Sequence, residues 1–143
     1  MLVKEVMSKD VKTIRSSDTV KIAAQVMTQE NIGSLVVVSG SGEVVGIITE
    51  RDILTDVVVE GKNPGDLRVE EVMSKDLVTV EPEKSLEDAA DIMTEKEIRR
   101  LPVVAEGRLV GIVTTADLVA HERRLMEKIS KLLVLAPAKR IGG

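Results

Sequence analysis

The feature that most constrains this chain is that it repeats itself. Val6-Met7-Ser8-Lys9-Asp10 returns unchanged as Val72-Met73-Ser74-Lys75-Asp76. In the same register Thr13 matches Thr79, Ala23-Ala24 matches Ala89-Ala90, Met27-Thr28 matches Met93-Thr94, and Leu35 matches Leu101. The register then slips by one residue, so that Gly46-Ile47-Ile48-Thr49 meets Gly111-Ile112-Val113-Thr114. The lost residue falls where Ser39-Gly40-Ser41-Gly42 is replaced by the shorter Ala105-Glu106-Gly107, and a hairpin turn tolerates such a change. Two copies of one supersecondary unit follow, over residues 1–62 and 66–120, joined by the turn-rich Gly61-Lys62-Asn63-Pro64-Gly65.

Each copy reads alike. A helical turn near Lys4-Met7 (Glu70-Met73) leads to a short strand at Lys12-Thr13-Ile14 (Val78-Thr79-Val80). An amphipathic helix follows, with Val20, Ala23, Ala24 and Met27 at i, i+3, i+4 and i+7, and Leu86, Ala89, Ala90 and Met93 repeating the stripe. Thr19 and Ser85 stand at the N-cap positions. Leu35-Val38 with Val44-Thr49, and Leu101-Val104 with Leu109-Thr114, read as hairpins. A second helix closes each unit, at Glu50-Val59 and from Thr115 onward. The expected fold is therefore α/β (α+β), with β-α-β-β-α written twice. Residues 121–143 form an extension whose Leu125, Ile129, Leu132 and Leu133 make one apolar helix face, followed by a short mobile tail from Ala136.

Composition narrows the chemistry. No Cys is present, which excludes disulfides, thiol catalysis and Cys-based zinc sites. No Phe, Tyr or Trp is present either, which excludes a ring-stacking platform for single-stranded nucleic acid and makes the core aliphatic. Twenty Lys and Arg against twenty-four Asp and Glu give a net charge of −4, unlike a nucleic-acid binder. No apolar run approaches the ~20 residues of a membrane span, and the N-terminus does not read as a signal peptide. A cytoplasmic protein is expected. His121 is the single histidine, beside Glu122-Arg123-Arg124 on a solvated helix face, and leaves no partner set for a catalytic triad or a metal. Gly40-Ser41-Gly42-Glu43-Val44-Val45-Gly46 has its third Gly one residue late for a dinucleotide fingerprint and links two strands. An enzyme is not expected, and no cofactor.

The informative element is Gly46-Ile47-Ile48-Thr49-Glu50-Arg51-Asp52, repeated as Gly111-Ile112-Val113-Thr114-Thr115-Ala116-Asp117. It runs from a strand into the first turn of a helix, where backbone N–H groups and the helix dipole favour an anion. A Thr hydroxyl there can donate to a phosphate, and an Asp three residues on can accept from a ribose. The same Thr-x-x-Asp spacing is also a capping box, worth ~1 kcal/mol to the helix. Spacing alone leaves both readings open.

Two β-α-β-β-α copies ending in Gly-h-x-Thr-x-x-Asp (h being apolar), each preceded by Val-Met-Ser, with Arg99-Arg100-Leu101-Pro102-Val103-Val104 in the second, resemble a CBS-domain pair, or Bateman module. The resemblance covers about residues 3–120 and is that of a stand-alone member. It implies two repeats packed with pseudo-twofold symmetry and two clefts between them. The clefts of such modules take adenosine-containing ligands such as AMP, ADP, ATP or S-adenosylmethionine. By matching position, Thr49 and Thr114 would meet phosphate or ribose, and Asp52 and Asp117 the ribose diol. Lys12, Thr13, Ile14, Val78, Thr79 and Val80 would border the adenine with backbone groups, as would Ile48 and Val113. Arg99 and Arg100 would reach phosphates, and the resemblance favours the cleft holding Thr49 and Asp52 for them. The first repeat has Gly33-Ser34 in their place, so unequal clefts are expected. A homodimer and an effector protein of unknown identity are the expected partners. The alternatives are an interaction module without nucleotide and, less favoured, a nucleic-acid-binding regulator.

Overall fold

A computed structural model describes residues 1–135, and the expected tail from Ala136 lies outside the described residues. The elements run α1 (Val3–Val6), β1 (Thr13–Arg15), α2 (Val20–Glu30), β2 (Ser34–Val38), β3 (Val44–Thr49) and α3 (Glu50–Ile53). They continue with a 3-10 turn (Pro64–Asp66), α4 (Val69–Val72), α5 (Leu86–Lys96), β4 (Arg100–Ala105), β5 (Arg108–Thr114) and α6 (Thr115–Leu135). Thr19 caps α2 by accepting from the Ile22 N–H at 3.3 Å, and Ser85 caps α5 by accepting from the Asp88 N–H at 3.0 Å. Asn31 and Glu97 end these helices in the left-handed region, at φ 55° in both.

The hairpins form as the apolar runs predict, and each carries a bulge near its tip that leaves Val45 or Val110 outside the paired register. Two expectations need correction. In the first repeat β1 pairs in parallel with β2, Thr13 opposite Val36 and Arg15 opposite Val38. In the second, Val78-Thr79-Val80 is no strand: a single bridge joins Val80 to Val103. The cause is proline. Ser16 N–H donates to the Val38 carbonyl at 2.9 Å, whereas Pro82, at the matching position, has no N–H to donate. Pro102, standing where the first repeat has Val36, lacks a donor on the facing side as well. The helix expected over Glu50-Val59 is also not uniform. Beyond Ile53 it widens into a π-turn over Leu54–Val58, where Thr55 and the run Val57-Val58-Val59 are poor helix formers.

Two aliphatic cores result, and they exchange their leading segments. Val69 and Val72 of α4 are buried in the core of the first repeat, with Ile14, Leu35 and Ile48. Val3 of α1 is buried in the core of the second, with Val80, Leu101 and Val113. The exchange is held by matching backbone bonds. Val3 N–H donates to Lys84 and Val69 N–H to Asp18, each at 2.8 Å. Val20 N–H donates to Leu67 at 2.9 Å and Leu86 N–H to Met1 at 3.2 Å. Among the described residues no helix is long and apolar enough to cross a membrane.

Candidate functional site between the repeats

The two repeated motifs explain one another. Ser8 and Ile112 exchange both backbone bonds at 2.9 Å, and Ser74 and Ile47 do the same at 2.9 and 3.0 Å. Val-Met-Ser of each copy thus lies across the Gly-h-x-Thr strand of the other body. The glycine is required by that approach: a Cβ on Gly46 would sit 2.6 Å from the Ser74 carbonyl oxygen, and one on Gly111 would sit 2.9 Å from that of Ser8.

At the end of these strands Thr and Asp cap each other. Thr49 N–H donates to Asp52 Oδ2 at 2.9 Å, and Asp52 N–H donates to Thr49 Oγ1 at 3.1 Å. Thr114 and Asp117 repeat the pair at 2.9 and 3.2 Å. The capping box is therefore formed in both copies. Glu50 N–H donates to the Gly33 carbonyl and Thr115 N–H to that of Arg99, so two of the first three N–H groups of each helix are already bonded. What this junction offers a ligand is the second carboxylate oxygen of each half-buried Asp and the proton of each Thr hydroxyl.

A cavity of about 90 Å³ lies between the repeats. Three pairs of matching residues line it, Ser34 with Arg100, Val36 with Pro102, and Ile47 with Ile112. It therefore straddles the axis relating the repeats. Asp10, Val11, Lys12 and Ile32 come from the first repeat alone, and their counterparts do not line it. The result is an aliphatic floor with two cations, Lys12 and Arg100, one from each repeat. Lys12 Nζ stands 3.5 Å from Asp10 Oδ1, an exposed pair of small energetic value. Among the described residues, Arg100 has no carboxylate partner.

The other expected site residues distribute as follows. Ile14, Ile48, Val80 and Val113 are buried with side chains in the two cores, so only their backbone can face a ligand. Val78 packs against the second core, and Thr79 is exposed. Thr13 turns to a different hollow, of about 370 Å³, beside Lys9 and Arg108. Arg99 is exposed outside the cavity. Arg100 stands directly opposite Thr114 in the β4–β5 ladder, while Ser34 stands opposite Thr49. The basic residue therefore shares its hairpin with Thr114, as the apolar runs already implied, and lines the cavity together with Lys12, Ser34 and Ile47 of the first repeat. Lys12 and Arg100 are the expected site residues that line the cavity; the other eight, Asp10, Val11, Ile32, Ser34, Val36, Ile47, Pro102 and Ile112, were not expected there. Asp10 carried a signal, since it closes the pentapeptide that both copies share.

Fold and site together match known proteins. The CBS domain family matches this sequence twice, over residues 3–58 and 69–124, and the chain belongs to that family as a CBS-domain pair. Uncharacterized protein MK0525 of Methanopyrus kandleri is 40% identical over 128 residues, which are 89% of this chain and 65% of that one. The CBS domain-containing protein YhcV of Bacillus subtilis is 41% identical over 120 residues, 84% of either chain. The crystal structure of an uncharacterized conserved protein from Pyrococcus horikoshii superposes with a TM-score of 0.73 at 34% identity, covering 85% of this chain and 92% of that one.

Proposed function

We propose that this CBS pair is a non-catalytic regulatory sensor that binds an adenosine-containing ligand, AMP, ADP, ATP or S-adenosylmethionine, between its repeats and acts as a homodimer on an effector protein. The observation that carries the reading is the cavity on the axis, where Lys12 and Arg100 converge from different repeats over Val36, Ile47, Pro102 and Ile112. Aliphatic walls suit an adenine face, and Arg100, free of a carboxylate among the described residues, suits a phosphate through bidentate hydrogen bonds, with Lys12 shared between that phosphate and Asp10. Thr114, opposite Arg100 in the β4–β5 ladder, and its capping partner Asp117 would meet the phosphate and ribose. With Ser34 in place of Arg100, the cleft of Thr49 and Asp52 is the weaker site for a charged ligand.

The cavity of about 90 Å³ is well below the roughly 300 Å³ at the small end of ligand sites. Binding there therefore requires the cavity to widen, and a ligand that favours the widened arrangement shifts the population toward it. That is the physical content of sensing here. The formed capping boxes favour a second reading, an interaction module in which Thr-x-x-Asp is purely structural. Thermal melts decide between them. AMP or ATP is expected to raise the Tm of the wild type and to lose most of that effect in Arg100→Ala, with Arg108→Ala as the control. No shift with AMP, ADP, ATP or S-adenosylmethionine would establish the second reading.

A further inference from the structure

Two apolar surfaces of this chain are uncovered, and they match. Beyond His121, α6 leaves the body: residues 122–134 are exposed throughout. Its apolar face is open to solvent, with Leu125 at 44%, Ile129 at 43%, Leu132 at 65% and Leu133 at 66% exposure. Those four residues span about 12 Å of helix. A lone helix segment of this length is marginal in water, so such a face calls for a partner. The second surface is a groove of about 410 Å³ between α2 and α3, lined by Ala24, Met27, Ile53 and Leu54. The apolar surface continues along the π-turn through Val58 and Val59, 61% and 77% exposed. The chain's own α6 does not line the groove, and packs chiefly on α1, α5 and β5.

Charge complements shape. Residues 121–135 carry Arg123, Arg124, Lys128 and Lys131 against Glu122 and Glu127, whereas residues 1–120 carry fourteen Lys and Arg against twenty-two Asp and Glu. Glu50 lines the groove, while Asp56 and Glu60, on the π-turn and just beyond it, line a separate hollow with Glu71. Among the described residues none of these acids, and none of the α6 bases, has an ion-pair partner within the chain. We propose that the α6 extension of one copy docks in the α2/α3 groove of a second copy, and that the exchange is reciprocal, closing a two-fold dimer. The proposal deepens the homodimer reading above and rests on it.

The absence of cysteine supplies the test. Full-length Leu54→Cys and Leu132→Cys, both at exposed positions, are mixed and oxidised. A disulfide joining the two different variants is expected, with little joining two Leu132→Cys copies. Light scattering of Ile129→Glu/Leu132→Glu is expected to show a monomer that still unfolds in one cooperative transition, at a Tm lower than that of the dimeric wild type. A persistent dimer, cross-linked only through Leu132→Cys to itself, would overturn this arrangement while leaving self-association standing. A wild-type monomer would overturn both. Flotation of the wild type with phosphatidylserine vesicles, lost in the double Glu variant, would assign the helix to a membrane surface and overturn the exchange.

Discussion

At the scale of single residues, the glycines of the repeated motif are fixed by contact, and the threonines and aspartates by hydrogen bonds. Gly46→Ala and Gly111→Ala should each cost about 1–3 kcal/mol in urea unfolding, because the new Cβ meets backbone that cannot retreat. Gly40→Ala, with open space around it, should change stability by less than about 0.5 kcal/mol. Asp52→Ala removes half of a capping box and should cost ~1 kcal/mol with little effect on the stronger ligand site. Asp117→Ala should cost a similar amount and, on the proposed reading, also weaken AMP binding about tenfold, since it removes the carboxylate paired with Thr114, which faces Arg100 in the ladder. Equal binding losses in the two variants would remove the asymmetry between clefts. Glu97 holds a left-handed conformation in which Asn31 serves the first repeat, so Glu97→Asn should raise stability by a few tenths of a kcal/mol up to about 1 kcal/mol.

At the scale of elements, most of the order was legible because the signals are local. The i, i+3, i+4, i+7 stripe placed α2 and α5, Thr19 and Ser85 marked their starts, and apolar runs broken by glycine placed both hairpins. What stayed hidden depends on partners distant in sequence. Val78-Val80 has the composition of a strand, yet its ladder fails through Pro82 and Pro102, and the pairing that exposes this is not visible until β4 is docked. Likewise, nothing in Thr-x-x-Asp distinguishes a cap from a ligand group until the distances are known. The partnership of Arg100 with Thr114 follows from register, which a sequence without aligned strands does not fix. The exchanged leading segments are a further case. Val3→Ala and Val69→Ala each empty part of the core of the other repeat and should each cost roughly 1–3 kcal/mol in urea unfolding.

At the scale of the whole molecule, the sequence repeats and the folded bodies are not the same segments. Residues 1–62 alone lack Val69 and Val72, so that fragment should show no cooperative unfolding by circular dichroism, while the intact chain unfolds in one transition. On the proposed reading, a small ligand in the cleft would act on the relation of these two interlocked bodies. Here the missing aromatic side chains become useful. With no Phe, Tyr or Trp, the chain is nearly transparent at 260 nm, and retained absorbance reports adenine directly. Equilibrium dialysis of the purified chain against AMP, ADP, ATP or S-adenosylmethionine, read at 260 nm, is thus the most direct test of the central claim. Retention of at least one of them, weakened tenfold or more by Arg100→Ala, is the predicted result. Retention of none, or binding indifferent to Arg100→Ala, would contradict it.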